Sequence, residues 1–393
     1  FMAVGIVIGT WILSGVVPAM TYYGLQLISP TIFVPTACVI AVLVALATGS
    51  SWSTVGTVGI ALMGIGRGLG FPVGLVAGAI ISGAYFGDKM SPLSDTTNMA
   101  PAVSGTDLFT HIRHMVYTST PSFIISVALF TVFGLQHSSS TYDASVIDGI
   151  LQGLDSAFYI SPILLIPPVI ILVLVIKKVD ALPALLISAT LGGIFAMIFQ
   201  GKNFGEVINA AHYGFQSQTG VEAIDSLLSG GGLDSMLNPL SLVFMTSGLA
   251  GVMEASGMIE SLTSKILSLA KGVGGLIAAT VFTAIAINIL TGDQYLSIVF
   301  TGKMYQSEFA KMNLHPKNLS RTLEDAGTLT SPLIPWGACG IFMSGTLGVP
   351  VLTYLPYMFL SFINPIIAII YGFTGFTIEK LDPKDDEPDT LVA

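Results

Sequence analysis

The chain has 393 residues, of which 52% are hydrophobic and only 9% charged, with a net charge of −9 at pH 7 and a mean hydropathy of +0.81. A soluble domain carries roughly 25% charged residues, so this composition excludes a water-soluble globular protein. No basic run offers a footing for nucleic acid, and the acidity is concentrated from Glu379 onward, where six acids stand against two lysines.

In chain order, apolar runs long enough to cross about 30 Å of hydrocarbon recur near 1–19, 31–48, 71–87, 116–135, 160–176, 181–200, 236–254, 273–290 and 354–374. Shorter apolar pieces lie at 55–66, 294–302 and 332–347. The expectation is an all-α polytopic membrane protein with the bilayer as its principal partner and no soluble domain. The two cysteines, Cys38 and Cys339, stand apart in apolar segments and read as packing residues.

Two stretches carry the same order of landmarks. Thr48-Gly49-Ser50, Ser91-Pro92-Leu93 and Thr120-Pro121 recur as Thr291-Gly292-Asp293, Ser331-Pro332-Leu333 and Asn364-Pro365, at offsets of 243, 240 and 244 residues. Paired halves with Gly- and Pro-interrupted segments at matching positions point to a secondary transporter whose site lies at the repeat interface. The division predicted is 1–136 for the first repeat, 137–159 for an external loop, 160–378 for the second repeat and 379–393 for a solvated tail. The first half has no counterpart of the spans at 160–176 and 181–200, which predicts two further helices upstream.

Lys177-Lys178 and Lys265 with Lys271 mark cytoplasmic loops, and so does the cluster Lys303, Lys311, Lys317 and Arg321. The apolar stretch 273–302 lies between basic segments on one side, so it must enter and return as a re-entrant hairpin, with its tip at Thr291 to Gln294. The matching hairpin would turn at Thr48 to Ser51. Matching loops differ in charge, as expected if the repeats are inverted. After each hairpin, Gly87 to Asn98 and Glu324 to Pro332 read as discontinuous transmembrane helices.

A dehydrated Na+ needs about five or six hard oxygen ligands, which unwound carbonyls, hydroxyls and a carboxylate can supply. One ion site is expected among Thr48, Ser50, Ser51, Asp88, Ser91, Asp95, Thr96, Thr97 and Asn98, with Na+ held by Asp88, Asp95, Thr96 and Thr48. Its mate would join Thr291, Asp293, Gln294, Asp325, Thr328, Thr330 and Ser331. Ionisable groups at membrane depth are costly and therefore functional candidates, so Asp88, Asp95, Asp293 and Glu254 are the groups expected to carry a proton. Glu254 could equally mark the end of its helix.

Lys89 has three readings: a partner for a carboxylate, a contact for a bound anion, or an interfacial lysine. His111, Arg113 and His114 read as interfacial anchors, and Trp11, Trp52 and Trp336 as packing or interface residues. The paired Tyr-Asp and Gly-x-Gly-Asp signature of intramembrane aspartyl proteases is absent, as are a Gly-x-Ser-x-Gly elbow, a phosphate loop and a Cys/His metal cluster. No enzymatic activity and no cofactor is expected.

The run Gly83 to Asn98, followed by Gly105-Thr106-Asp107-Leu108-Phe109-Thr110-His111-Ile112-Arg113-His114, resembles the NhaC family of bacterial Na+/H+ antiporters. Ala47 to Thr57 is similar to the same family's preceding hairpin. The resemblance implies a multi-pass protein of the bacterial cell membrane that exchanges cytoplasmic Na+ for external H+. It also implies inverted repeats and a homodimer. Close relatives exchange malate for lactate together with Na+ and H+, so a Na+/H+-coupled carboxylate exchanger is the alternative. A passive cation channel is a third class, but it would not need duplicated hairpins.

Overall fold

The computed structural model describes residues 2–381 apart from 28, 142–143, 178, 180, 218–224 and 226–227. The acidic end from 382 onward lies outside the described residues. Among them the chain is helical throughout, with two isolated β-bridges. In sequence the helices are α1 (Met2–Leu13), α2 (Val16–Leu27), α3 (Phe33–Thr48), α4 (51–68), α5 (Val73–Met90), α6 (Asp95–Ser104), α7 (Leu108–Thr141), α8 (Ala144–Ala157), α9 (Ile166–Ile176) and α10 (Ala181–Phe199). There follow α11 (Phe204–Tyr213), α12 (Leu237–Ala255), α13 (Met258–Ser268), α14 (Gly272–Thr291), α15 (Gln294–Lys311), α16 (Pro316–Leu323), α17 (Ala338–Leu347), α18 (Val351–Tyr354) and α19 (Phe359–Thr374).

Among the described residues, four helices are long and apolar enough to span a bilayer: Leu108–His137, Leu182–Phe199, Leu233–Ala255 and Gly272–Thr291. Up to seven spans result if three sharply bent helix pairs each count as one. One of these pairs corrects the single span expected at 1–19, because α1 and α2 meet at 70° across Ser14-Gly15, where Gly15 adopts a positive φ. Many large apolar side chains stay exposed, Phe244 and Met245 on α12 among them, as suits helices whose outer face meets lipid rather than water.

The connections between spans carry helices of their own, and one further expectation, for the start of the tail, is revised. The stretch expected as an external loop at 137–159 is largely helical in α7 and α8, and the following connection at 201–235 contains α11. A reciprocal capping box of Asn203 and Glu206 opens α11, a local signal strong enough to start a helix without an apolar run. Glu379 and Lys380, counted with the solvated tail, are docked instead: the Glu379 carbonyl accepts from His315 N at 3.0 Å and Leu381 N donates to Asn313 O at 3.1 Å. Lys317 pairs with the Glu379 carboxylate and holds it below the usual glutamate range.

The duplicated landmarks recur as backbone geometry. Helix α3 ends at Gly49 with φ +67°, and Ser50 then caps α4 by accepting from Ser53 N. Helix α14 ends at Gly292 with φ +68°, and Asp293 caps α15. In this left-handed region glycine carries no Cβ penalty. Each half then has a helix broken at Ser-Pro-Leu, where proline supplies no N–H to continue the ladder. In the first half α5 stops at Met90 and α6 starts at Asp95; in the second, α16 runs into a π turn, Glu324–Thr328, and α17 starts at Ala338.

Each hairpin tip touches the break of its own half. A Cβ on Gly49 would stand 2.6 Å from Leu93, and one on Gly292 would stand 3.0 Å from Gly337 Cα. Ala338 N donates to Gly292 O at 2.8 Å. Helices α3 and α5 are packed backbone to backbone, so that a Cβ on Gly83 would lie 2.1 Å from Cys38 O. Small residues are what allow apolar helices to approach this closely where lipid supplies no hydrophobic drive.

Candidate functional site

Helix ends from both halves converge on one cavity of about 390 Å³. The first hairpin tip supplies Gly49, Ser50, Trp52 and Ser53, the first broken helix Asp88, Ser94, Asp95 and Thr96, and the second hairpin tip Gln294 and Tyr295. Phe342 of α17, with Ala3 and Val4 of α1 and Leu182 and Leu185 of α10, closes the apolar side. The wall therefore holds two carboxylates and, among the described residues, no cationic side chain.

Asp88 lies at the C-terminal end of α5, the negative end of a helix dipole and a poor place for an anion. It is stabilised instead by the N-terminus of α4, where Ser51 N donates to Oδ2 at 2.9 Å. The residue keeps 9% of its surface, towards the cavity it lines. Asp95 is exposed in the first turn of α6, whose N-terminal amides favour a negative charge. One carboxylate at a dipole's negative end and another at a positive end thus face one cavity.

The remaining members of the first predicted site divide. Ser50 and Thr96 line the cavity, and Ser51 acts through its amide. Ser91 Oγ donates to Leu46 O at 2.8 Å, Thr97 Oγ1 to Lys89 O at 2.9 Å, and Asn98 Nδ2 to Pro92 O and Ser94 O at 2.9 and 2.7 Å. These three hold the break in shape and do not line the cavity. Thr48 ends α3; its side chain lies outside the described part. Ser94, named by the sequence only as part of the broken segment, faces the cavity and caps α6 by accepting from Thr97 N. Trp52, expected as packing, stacks on Phe342 at 4.3 Å between ring centres and forms part of the wall.

The second predicted group does not assemble as one set. Gln294 lines the first cavity and accepts from Ser331 Oγ at 3.2 Å. Thr330 Oγ1 donates to Ala326 O and accepts from Asn288 Nδ2, and the Thr328 hydroxyl has no hydrogen-bond partner among the described residues. Thr291 Oγ1 donates to Ile287 O at 2.8 Å and accepts from Asp293 N. Asp293 accepts from Tyr295 N and Leu296 N at 2.7 and 3.1 Å, the geometry of a helix cap. Asp293→Asn, which can still cap, is therefore expected to leave transport close to wild type, whereas Asp293→Ala should cost about 1 kcal/mol of stability. Thermal unfolding and flux measured on both variants check this; a transport loss in the Asn variant would make Asp293 an ion or proton ligand.

Asp325 is drawn out of that group altogether. It is fully buried and pairs with Lys89, itself fully buried, from the first broken helix. Asp325 Oδ1 also accepts from Thr118 Oγ1 at 2.9 Å and Asn364 Nδ2 at 2.6 Å, and Arg321 Nε stands 3.8 Å from Oδ2. Of the three readings for Lys89, the carboxylate partner is the one observed. Its partner is 236 residues away, so no local pattern could have named it.

His111 and His114 also depart from the interfacial reading. Both are buried on the face of α7 that meets α16, where His111 Nδ1 lies 2.6 Å from Ser320 Oγ and His114 Nε2 lies 3.3 Å from Arg321 NH1. With Thr118, Ser122 and Ser126 they form a polar stripe at spacings of three and four residues, a signal present in the sequence. Arg113 between them is exposed. Glu254 is exposed near the C-terminal end of α12 and is not among the residues that line the cavity of Asp88 and Asp95, which fits a helix-end residue better than a proton carrier. Trp11 is buried and donates to Ser188 O, and Trp336 donates to Ile289 O from an exposed position.

A polytopic helical protein in which two hairpin tips and a broken helix enclose a small acid-lined cavity has the build of a secondary transporter. The profile of the Na+/H+ antiporter family matches residues 83–376. The chain is 44% identical to the Na(+)/H(+) antiporter NhaC of Alkalihalophilus pseudofirmus, over 96% of this chain and 81% of the relative. It is 41% identical to the Malate-2H(+)/Na(+)-lactate antiporter of Bacillus subtilis (95% and 80%), and 40% identical to the Arginine/ornithine antiporter ArcD of Halobacterium salinarum (96% and 78%). The solved structure of Neisseria gonorrhoeae MtrF overlaps 95% of this chain and 81% of its own at 12% identity, with a TM-score of 0.41, too distant a likeness to transfer anything. The chain belongs to the Na+/H+ antiporter family and is a multi-pass membrane transporter.

Proposed function

We propose that the chain exchanges cytoplasmic Na+ for external H+ by alternating access, with Na+ held in the cavity between the first hairpin tip and the first broken helix. Asp88 and Asp95 supply charge, and Ser50 and Thr96 supply neutral oxygens at its wall. Thr48 belongs to the same tip. The observation that carries this reading is the pair of carboxylates facing one cavity with no cationic side chain on its wall among the described residues. The recurrence of tip and break in both halves supports an inverted repeat, in which the hairpin-bearing part moves against the remaining helices. A homodimer belongs to the same proposal.

The carboxylate-exchange alternative needs a positive or amide group at the substrate. Lys89 and Asn98 are the residues that would provide one, but Lys89 is taken by Asp325, and Asn98 bonds the carbonyls of its own broken segment. A cation fits this cavity better than a malate or lactate anion.

Proton flux in sealed proteoliposomes with an acidic lumen tests the choice. Na+ added alone should collapse the pH gradient. A response that requires malate or lactate would move the protein to the carboxylate-exchanging branch, and a flux of Na+ without counter-movement of protons would make it a channel.

A further inference from the structure

A second cavity, of about 250 Å³, shares no residue with the acid-lined one. Three helices wall both: α1, α4 and α17, which contribute Ile8, Met63, Arg67 and Thr346 to the second. The connection before α12 closes it with Ser229 and Ser235. Among the described residues its wall holds no carboxylate, and Arg67 is its one titratable side chain. Its charge is therefore the reverse of that of the cavity of Asp88 and Asp95.

Arg67 stands in the last turn of α4, half-buried, and forms no ion pair among the described residues. Its Nη2 donates to Leu347 O at 3.0 Å and Gly348 O at 3.3 Å, which caps the C-terminal end of α17. That role occupies one nitrogen of the guanidinium. Nε and Nη1 donate to nothing among the described residues, although a cation set among apolar helices is costly unless it is paired. Hydroxyls stand on the same wall. Ser229 Oγ accepts from Ser217 N at 2.9 Å, which leaves its own proton to donate. Thr346 is 5% exposed, and its hydroxyl has no hydrogen-bond partner among the described residues. Capping α17 would require neither a cavity nor these hydroxyls.

We propose that this second cavity binds one small monovalent anion, held by Nε and Nη1 of Arg67 and by the hydroxyl of Ser229. The inference is independent of the exchange proposed above. A single negative charge matches the single cation on the wall, whereas a dianion would leave net charge in a largely apolar enclosure. The volume lies below the range of about 300–1,000 Å³ usual for drug-sized ligands, which restricts the occupant to a few heavy atoms. Chloride and a short carboxylate such as acetate share the required chemistry, and the planar guanidinium edge suits two carboxylate oxygens in particular. The bound anion offsets the cost of holding the Arg67 charge at the junction of α4 and α17, so its binding stabilises the fold.

Thermal unfolding of the purified full chain in detergent, at constant Na+ and with a bulky buffer sulfonate as the anion being replaced, tests the proposal. Chloride or acetate should raise the Tm of the wild type saturably, and the lower half-saturating concentration identifies which of the two fits the site. Arg67→Met is expected to raise that concentration by at least about tenfold. Ser229→Ala should raise it by about two- to tenfold, the loss of one hydrogen bond, with an anion-free Tm close to wild type. Because Ser229→Ala keeps Arg67 and its cap on α17, it covers the case of an Arg67→Met protein that does not fold. Phosphatidylglycerol, added in mixed micelles, is the control for a lipid headgroup. A Tm rise with phosphatidylglycerol but with neither chloride nor acetate, the absence of a saturable response in the wild type, or an equal response in the wild type and every folded variant would each overturn the proposal.

Discussion

Asp88→Asn is expected to lower the apparent affinity for Na+ by roughly a hundred- to a thousandfold and to abolish both Na+/Na+ counterflow and Na+-driven proton release. The estimate follows from removing one negative charge at about 4 Å from a cation at an effective dielectric of about 20, worth about 4 kcal/mol. The loss should appear in transport and not in folding. Asparagine keeps an oxygen to accept from Ser51 N, a hydrogen bond that ties the Asp88 side chain to the first hairpin tip. Asp95→Asn, by contrast, should cost about tenfold or less, because Asp95 is exposed and its charge is screened by water. Equal losses in the two variants would argue against Asp88 as the principal ligand. An Asp88→Asn protein that still exchanges Na+ would remove the ion from this cavity.

Lys89→Met is expected to destabilise the protein by roughly 3–5 kcal/mol, a fall in Tm on the order of 10 °C. The mechanism is the Asp325 carboxylate left buried without its directly bonded ammonium, for which Arg321 Nε, 3.8 Å away and not hydrogen-bonded to it, compensates only in part. Thr118 and Asn364 still donate, but neutral donors do not cancel a charge. The double variant Lys89→Met with Asp325→Asn should recover most of the loss, since removing both members of a buried pair is far less costly than removing one. Thermal stability in detergent, followed by size-exclusion chromatography, checks both. If the single variant melts with wild type, or the double variant is no better than the single, Lys89 and Asp325 do not act as a pair in the folded protein.

Much of the architecture was legible from local patterns. The hairpin tips at Gly49 and Gly292 and the breaks at the two Ser-Pro-Leu runs came from residue types with fixed backbone consequences, glycine tolerating a positive φ and proline lacking a donor. Asp88, Asp95, Ser50 and Thr96 were found because oxygen-rich residues within apolar runs are conspicuous, and they share a cavity. The misplacements have a common origin. Grouping Asp325 with Thr328, Thr330 and Ser331 assumed that neighbours in sequence serve one site, yet its partners are Lys89, Thr118 and Asn364 on three other helices. His111 and His114 were set at an interface because a basic cluster at the start of a span commonly lies there, whereas α16 covers that face of α7.

By itself, then, the sequence determined that this chain is a helical membrane transporter, where its helices turn and break, and which acids lie at those irregular points. These properties follow from backbone chemistry and hydropathy over a few residues at a time. Only the tertiary structure decided which acids work together. Glu324 and Asp325 are adjacent and equally buried, but one has no hydrogen-bond partner among the described residues while the other is held by Lys89. In a medium without water, the role of a charge depends on whether packing brings it a partner. That partner comes from hundreds of residues away, beyond the reach of any local pattern.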